Sequence, residues 1–241
     1  MDWNRQWDRF LVYVAWVLVL AVLMLAGAGS AFAEDKDASE LPQRIQSQYE
    51  QLQGLKTDFV QELTNAASGE KQRREGTISF AKPRHIRWET TTPESEMLIV
   101  GPETVWDYFA EEEVVYTYST DEVFQSKTML RFISGEANIT DDFHIESQES
   151  ENEWVKLKLI PKKPESNMVL AYIWVEPETA LLRQVLLVDF GGNGNKLTFT
   201  DIQLNPEFEE GWFHFEPPEG VDVMRNTPPG QDGEAFGGMQ Q

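Results

Sequence analysis

The sequence predicts a mainly β (α+β) protein. It should form a single curved antiparallel sheet of about eleven or twelve strands, a barrel or half-barrel, with two short helices covering its open mouth. Three observations predict it. From Leu55 onward, short runs rich in Val, Ile, Thr, Phe, Tyr and Trp alternate with Gly, Pro, Asp, Asn and Glu clusters, the texture of successive strands and turns. Only two segments after the N-terminal region carry helical periodicity. No linker or change of composition divides residues 39 to 224, and one antiparallel sheet that wide has to curl.

The elements follow in order. Residues 1–33 read as a signal peptide. Arg5 and Arg9 precede an apolar run from Phe10 to Gly27, and Ala31-Phe32-Ala33 fits the small-x-small site of a signal peptidase. Cleavage is expected after Ala33, which marks the product for export. A run of 18 apolar positions also admits a retained membrane anchor as the rival reading. The domain proper spans 34–223. Its first helix covers Ser39 to Gln53, where Leu41, Ile45, Tyr49 and Leu52 share one face and Gly54 stops it.

Strands are expected near 55–64, 74–81, 85–91, 96–100, 104–110, 113–118, 142–148, 153–160, 169–176, 180–190, 195–203 and 212–215. The clearest is "WVKLKLI", in which Val155, Leu157 and Leu159 point one way and Lys156 and Lys158 the other. "GGNGN", 191–195, is a hairpin tip that tolerates positive φ, and "AEEEV", 110–114, is a charged one. "DEVFQSKTMLRFISGE", 121–136, interrupts the strands with Val123, Phe124, Lys127, Leu130 and Ile133 at helical spacing. The Pro/Gly-rich tail, 224–241, is expected to be disordered.

Charge and composition exclude several functions. Lys and Arg number 20 against 41 Asp and Glu, a net charge of −21. Removing residues 1–33 takes away Asp2, Arg5, Asp8 and Arg9 and leaves that balance unchanged. Such a chain is no electrostatic binder of nucleic acid. It contains no cysteine, hence no disulfide, no thiolate metal site and no acceptor for a lipid anchor. His85, His144 and His214 are isolated, with no H-E-x-x-H pair. No G-x-S-x-G elbow occurs, and Asp189-Phe190-Gly191 copies a kinase triplet without its partner motifs. No catalytic constellation, metal or cofactor is expected. The many aromatic residues suit a core, or the walls of a cavity for apolar ligands.

One stretch stands out against the acidity. "SFAKPRHIRWE", 79–89, packs Lys82, Arg84, His85 and Arg87 into six positions beside Pro83 and Trp88. A basic strand edge that deters aggregation explains it. So does a basic rim of Lys71, Arg73, Arg74, Arg84 and Arg87 facing an acidic partner.

Several blocks, in order, resemble the outer-membrane lipoprotein carrier (LolA) family. "LKTDFVQEL" (55–63) is similar to the family's first strand and its Phe-x-Gln pattern. "GTISFAKPRHIRWE" (76–89) resembles its Gly, basic-Pro and Trp block. "MLIVGPETVWDYF" (97–109) resembles the next hairpin, "LKLIPK" (157–162) a later strand, and "FHFEPPEGVDV" (213–223) the closing segment. The related acceptor family, LolB, carries an anchoring cysteine that this chain lacks.

The resemblance implies a monomeric, non-enzymatic periplasmic carrier with a half-closed barrel and a helical lid. It would accept lipoprotein acyl chains from an inner-membrane ABC transporter and pass them to an outer-membrane, LolB-like acceptor. It also implies that the basic residue before the strand proline latches the lid and serves transfer. That position holds Lys82 rather than the family's arginine, and lysine lacks the planar, multidentate donor set; Arg84 and Arg87 are candidates to compensate. The expected cavity residues are Phe80, Ile86, Trp88, Met97, Ile99, Trp106, Tyr108 and Leu159, with Phe124, Leu130 and Ile133 on the lid. A sensor of the same fold, a carrier for a glycolipid or another amphiphile, and an enzyme on this scaffold are the competing readings.

Overall fold

The computed structural model describes residues 34–126, 128–165 and 167–225; the expected signal peptide and residues 226–241 of the expected tail lie outside them. The chain divides into two units, Met1–Leu41 and Pro42–Gln241. The first contributes, among the described residues, only the start of helix α1 (Glu34–Gln51). The second holds the whole of the sheet.

Its strands are β1 (Gly54–Thr64), β2 (Lys71–Ala81), β3 (His85–Thr92), β4 (Glu96–Val100), β5 (Thr104–Phe109) and β6 (Val114–Ser119). Three short helices come next: α2 (Thr120–Ser126), α3 (Thr128–Ser134) and α4 (Ile139–Asp142). After them come β7 (Phe143–Glu151), β8 (Trp154–Pro161), β9 (Leu170–Val175), β10 (Leu182–Val188), β11 (Gly194–Leu204) and β12 (Asp222–Arg225). All twelve belong to one open sheet, ordered β12-β6-β5-β4-β3-β2-β1-β11-β10-β9-β8-β7.

Every pairing is antiparallel except β12 on β6. That strand replaces the one expected at 212–215, where Trp212 and His214 instead close turns onto Glu209 and Gly211. β12 runs two residues past the domain end expected at 223. The helix expected over 121–136 is divided between α2 and α3, and α3 is followed at once by Gly135, whose φ of +73° suits glycine.

Registers assign each side chain to a face, since directly opposed residues of an antiparallel pair share one. One row runs Tyr118–Val105–Val100–Ile86–Phe80–Leu55, and the next runs Tyr116–Asp107–Leu98–Trp88–Ile78–Thr57. On the other half the same face carries Phe199, Leu197, Val185, Ile173, Leu157 and Leu159. Helix α3 lies on this side, where its Met129 and Leu130 face the same space as Trp88 and Leu98. α3 packs against both β2 and β10, and its Thr128, Met129, Leu130, Phe132, Ile133 and Ser134 are all buried. Removing that much apolar surface from water, rather than helix propensity, holds so short a helix in place.

The opposite face is also covered. Residues 206–221 cross it with Phe208, Trp212, Phe213 and Phe215. Phe215 meets Trp106 and Tyr108 at ring separations of 6.0 and 5.7 Å. Phe213 lies 5.7 Å from His85, and Trp212 sits between Lys56 and Arg87 at 5.2 and 5.0 Å. Ile99, beneath this layer, is only 1 % exposed.

This second cover corrects the parity expected for β4 and β5. Leu98 and Asp107 share the face of Trp88, whereas Met97, Ile99, Trp106 and Tyr108 lie on the face under the C-terminal segment. A strand buried on both sides reads as one apolar run, as "MLIV" does, so alternation carries no information about which side is which.

Candidate binding cavity

Between α3 and the strands lies a cavity of about 870 Å³. Leu63, Trp88, Leu98, Met129, Leu130 and Leu187 supply its apolar wall. Gln61, Arg74, Glu96 and Asn195 add a polar band.

Two hairpin tips form its rim, β1–β2 through Asn65 and Glu70 and β10–β11 through Asp189 and Asn193. The tips are joined where the Ala66 N–H donates to Asn193 Oδ1 at 3.0 Å. Asp189 organises the second tip by accepting from the Asn193 side chain and from the Gly191 and Asn193 amides. Those bonds, the Asn193 side chain foremost, hold its carboxyl below the usual aspartate range. Phe190 on the same tip is 73 % exposed.

The far end of the concave face is filled by helix. Tyr49 of α1 reaches the start of β10, where its hydroxyl accepts from the Leu182 N–H at 3.3 Å. Burial pushes this phenol up to about 12. Arg44 donates to the Pro177 and Glu178 carbonyls at 2.8 and 2.9 Å, which fixes α1 on the β9–β10 turn.

The basic cluster of 79–89 sits at this closed end and is split three ways. Lys82 Nζ donates to the Glu50 carbonyl in the last turn of α1, where a cation also suits the helix dipole. Arg84 grips Glu136, just beyond α3, through Nε–Oε1 at 2.6 Å and Nη2–Oε2 at 3.2 Å. It also holds Asp121 at 3.0 Å and covers the Phe124 ring at 5.0 Å. The Glu136 hydrogen bond, with Asp121 beside it, raises its pKa above the ordinary arginine value. Arg87 points to the other face, where it donates to Glu89 at 2.6 Å and to the Trp212 carbonyl at 3.2 Å.

Lys71, Arg73 and Arg74 are likewise matched with Glu62, Glu75 and Glu96. The sequence suggested one basic rim; the structure distributes these cations over both faces and both ends, with a carboxylate beside each of these three.

Of the expected cavity residues, Trp88 lines the 870 Å³ space. It meets Phe59 edge-on at 5.2 Å. Phe80, Ile86 and Leu159 occupy the same face with no exposed surface. Met97, Ile99, Trp106 and Tyr108 lie behind it. Leu130 lines the cavity, while Phe124 and Ile133 are buried in α2 and α3. Sequence reasoning passed over Leu63, Leu98, Met129 and Leu187. It also passed over Gln61, although a glutamine in phase with Leu55, Phe59 and Leu63 was a visible break in an inward apolar row.

Among the described residues, no group of three or more His, Asp or Glu is placed to hold a metal ion, and no helix is long and apolar enough to cross a membrane. The site is thus an open sheet with a helix over a cavity walled by both apolar and polar side chains. Residues 50–216 match the family described as outer membrane lipoprotein carrier protein LolA, and the chain belongs to that family.

Two relatives named outer-membrane lipoprotein carrier protein are similar along most of their length. The one from Nitrosomonas europaea is 28 % identical over 172 residues, covering 71 % of this chain and 82 % of the relative. The one from Methylococcus capsulatus is 27 % identical over 190 residues, covering 78 % and 90 %. In three dimensions the fold is similar to an uncharacterized conserved protein from Thermus thermophilus. That match has a TM-score of 0.52 at 12 % identity and covers 79 % of this chain and all of the other.

Proposed function

We propose that this chain is a periplasmic carrier that shelters the acyl chains of lipoproteins released from the inner membrane and delivers them to the outer membrane. The observation that carries the proposal is the cavity. Its wall of Leu, Trp and Met side chains lies under a helix pinned by polar contacts, in a chain of the LolA family.

The energetics call for such a device. Three acyl chains expose about 45 methylenes, and at roughly 0.8 kcal/mol each their transfer to water costs on the order of 35 kcal/mol. A carrier has to enclose them in part and still release them. In this reading Lys82 and Arg84 latch the helices from the closed end, while Arg87 braces the C-terminal segment on the opposite face. The acyl chains enter past the two hairpin tips. The work of extraction is done by an ABC transporter, an outer-membrane acceptor completes transfer, and the carrier performs no catalysis.

Native mass spectrometry of the protein taken gently from its own periplasm tests this. A co-purifying acylated polypeptide is the expected result. A stoichiometric glycolipid or other free amphiphile in its place would reassign the cargo.

A further inference from the structure

Among the described residues the sheet has two open edges, β7 and β12, and they differ. β7 is interrupted by a bulge at Glu146 and carries Glu149 and Glu151, devices by which an edge turns other chains away. β12 has no bulge: its pairing with β6 runs from Asp222 to Arg225 without a shift of register. All four of its residues are exposed, Val223 at 52 % and Met224 at 48 %. The Asp222 N–H donates to the Glu113 carbonyl at 3.0 Å, so Asp222 and Met224 turn their backbone groups toward β6. Val223 and Arg225, the alternate residues, turn theirs to the open edge. Val223 and Met224 project from opposite faces, so an incoming strand meets an apolar neighbour on each side.

The charge around this edge has one sign. No Lys or Arg occurs between Arg87 and Lys127, or between Lys196 and Arg225. The fold joins these two stretches, since Phe215 packs on Trp106 and Tyr108 and β12 pairs with β6. Exposed Glu111, Glu112 and Glu113 form the β5–β6 tip beside β12, and exposed Glu219 precedes the strand. A second copy of the chain on this edge would oppose like charges. A cationic segment would be drawn to it.

We infer that β12 is a docking edge for an extended, basic segment of a partner protein, which adds to the sheet as one more strand. Backbone hydrogen bonds to Val223 and Arg225 fix its register. Apolar side chains at its centre cover Val223 and Met224, and Lys or Arg at its ends meet Glu111, Glu112, Glu113 and Glu219. The edge is independent of the acyl-binding reading, because no residue of β5, β6 or β12 lines the cavity.

The test titrates the protein with the fluorescein-labelled peptide Lys-Arg-Val-Ile-Lys-Arg, and with the same peptide N-methylated at its Val and Ile. Methylation keeps the charge and blocks both edges of the peptide. Val223→Pro removes the N–H on the open edge and spares the bonds to β6, a change that an edge strand tolerates. The wild type is expected to bind the plain peptide about fivefold or more tightly than the methylated one, the scale of one or two hydrogen bonds. Val223→Pro is expected to lose that preference while a fluorescent fatty-acyl probe binds the cavity as before. Equal binding of the two peptides by the wild type shows attraction by charge alone and overturns the docking edge. A preference that survives in Val223→Pro overturns its placement on β12. A dimer seen by sedimentation in the wild type and abolished by Val223→Pro gives the edge to a second copy and overturns the basic partner. If Val223→Pro does not fold, Val223→Lys, which sets a cation on the edge, takes its place with the same outcomes.

Discussion

Arg84 and Glu136 meet in a two-point ion pair, 52 positions apart in sequence, that ties the β2–β3 turn to the segment beyond α3. The two side chains are 43 % and 29 % exposed, so water screens much of their attraction, and the pair is worth about 0.5–1 kcal/mol. Its importance is positional. Arg84→Leu should leave global stability within about 1.5 kcal/mol of wild type and raise hydrogen exchange selectively in α2 and α3. Uniform exchange across the sheet and the helices would show that Arg84 does not hold the lid.

Tyr49 gives a dependence on alkaline pH. Its pKa is raised to about 12 in the folded protein from an ordinary 10.0, so the folded state retains a proton that the unfolded state releases. Stability is unaffected below about pH 10 and falls as pH rises toward 12, by about 3 kcal/mol at most. Tyr49→Phe forfeits the acceptor for the Leu182 amide, at about 1 kcal/mol near neutrality. It should nevertheless flatten the difference between urea titrations at pH 9 and pH 11. An identical pH profile in wild type and Tyr49→Phe would remove Tyr49 as the cause.

Gly76 marks a register shift between β2 and β3, and a Cβ there would stand 1.8 Å from the Glu89 carbonyl oxygen. Backbone cannot yield as a side chain can. Gly76→Ala should therefore destabilise by about 2 kcal/mol or more, read as a lower denaturation midpoint. A variant as stable as wild type would show that the bulge rearranges freely.

Trp212 and Trp88 should separate stability from binding. Trp212 is sandwiched by Lys56 and Arg87 on the face away from the cavity. Trp212→Ala is expected to lower stability by about 1–2 kcal/mol and leave acyl-probe affinity unchanged. Trp88→Ala, which alters the cavity wall, should weaken the probe by at least tenfold. Equal binding losses in the two variants would contradict the assignment of the faces.

The sheet was legible where one face remains wet. In β8, Leu157 and Leu159 have no exposed surface while Lys156 and Lys158 keep theirs, and the alternation reads directly. In β4 and β5 it was not legible, because Phe215 returns from more than a hundred residues downstream to cover Trp106 and Tyr108. A local pattern holds no record of a distant cover. The basic cluster was visible as composition, but its division was not. Glu50, Glu136 and Trp212, which sort Lys82, Arg84 and Arg87, come from three remote segments. Gln61 belongs to the Phe-x-Gln motif of the first strand, yet its place on the inner face follows only from the phase of β1.

The position of β1 in the sheet also sets the order of assembly. This strand pairs on one side with β2, which follows it at once. On the other side it pairs with β11, and Thr57 donates to the Thr200 carbonyl across 143 positions. Closing so long a loop is slow. Until β11 arrives, β1 presents a bare hydrogen-bonding edge of the kind that recruits other chains. A nascent polypeptide can therefore form the β1–β6 meander early, but it cannot seal its middle until most of the sequence has been made. That delay lengthens the time for which the middle of the sheet stands open to other chains, and aggregation before closure is the hazard it carries.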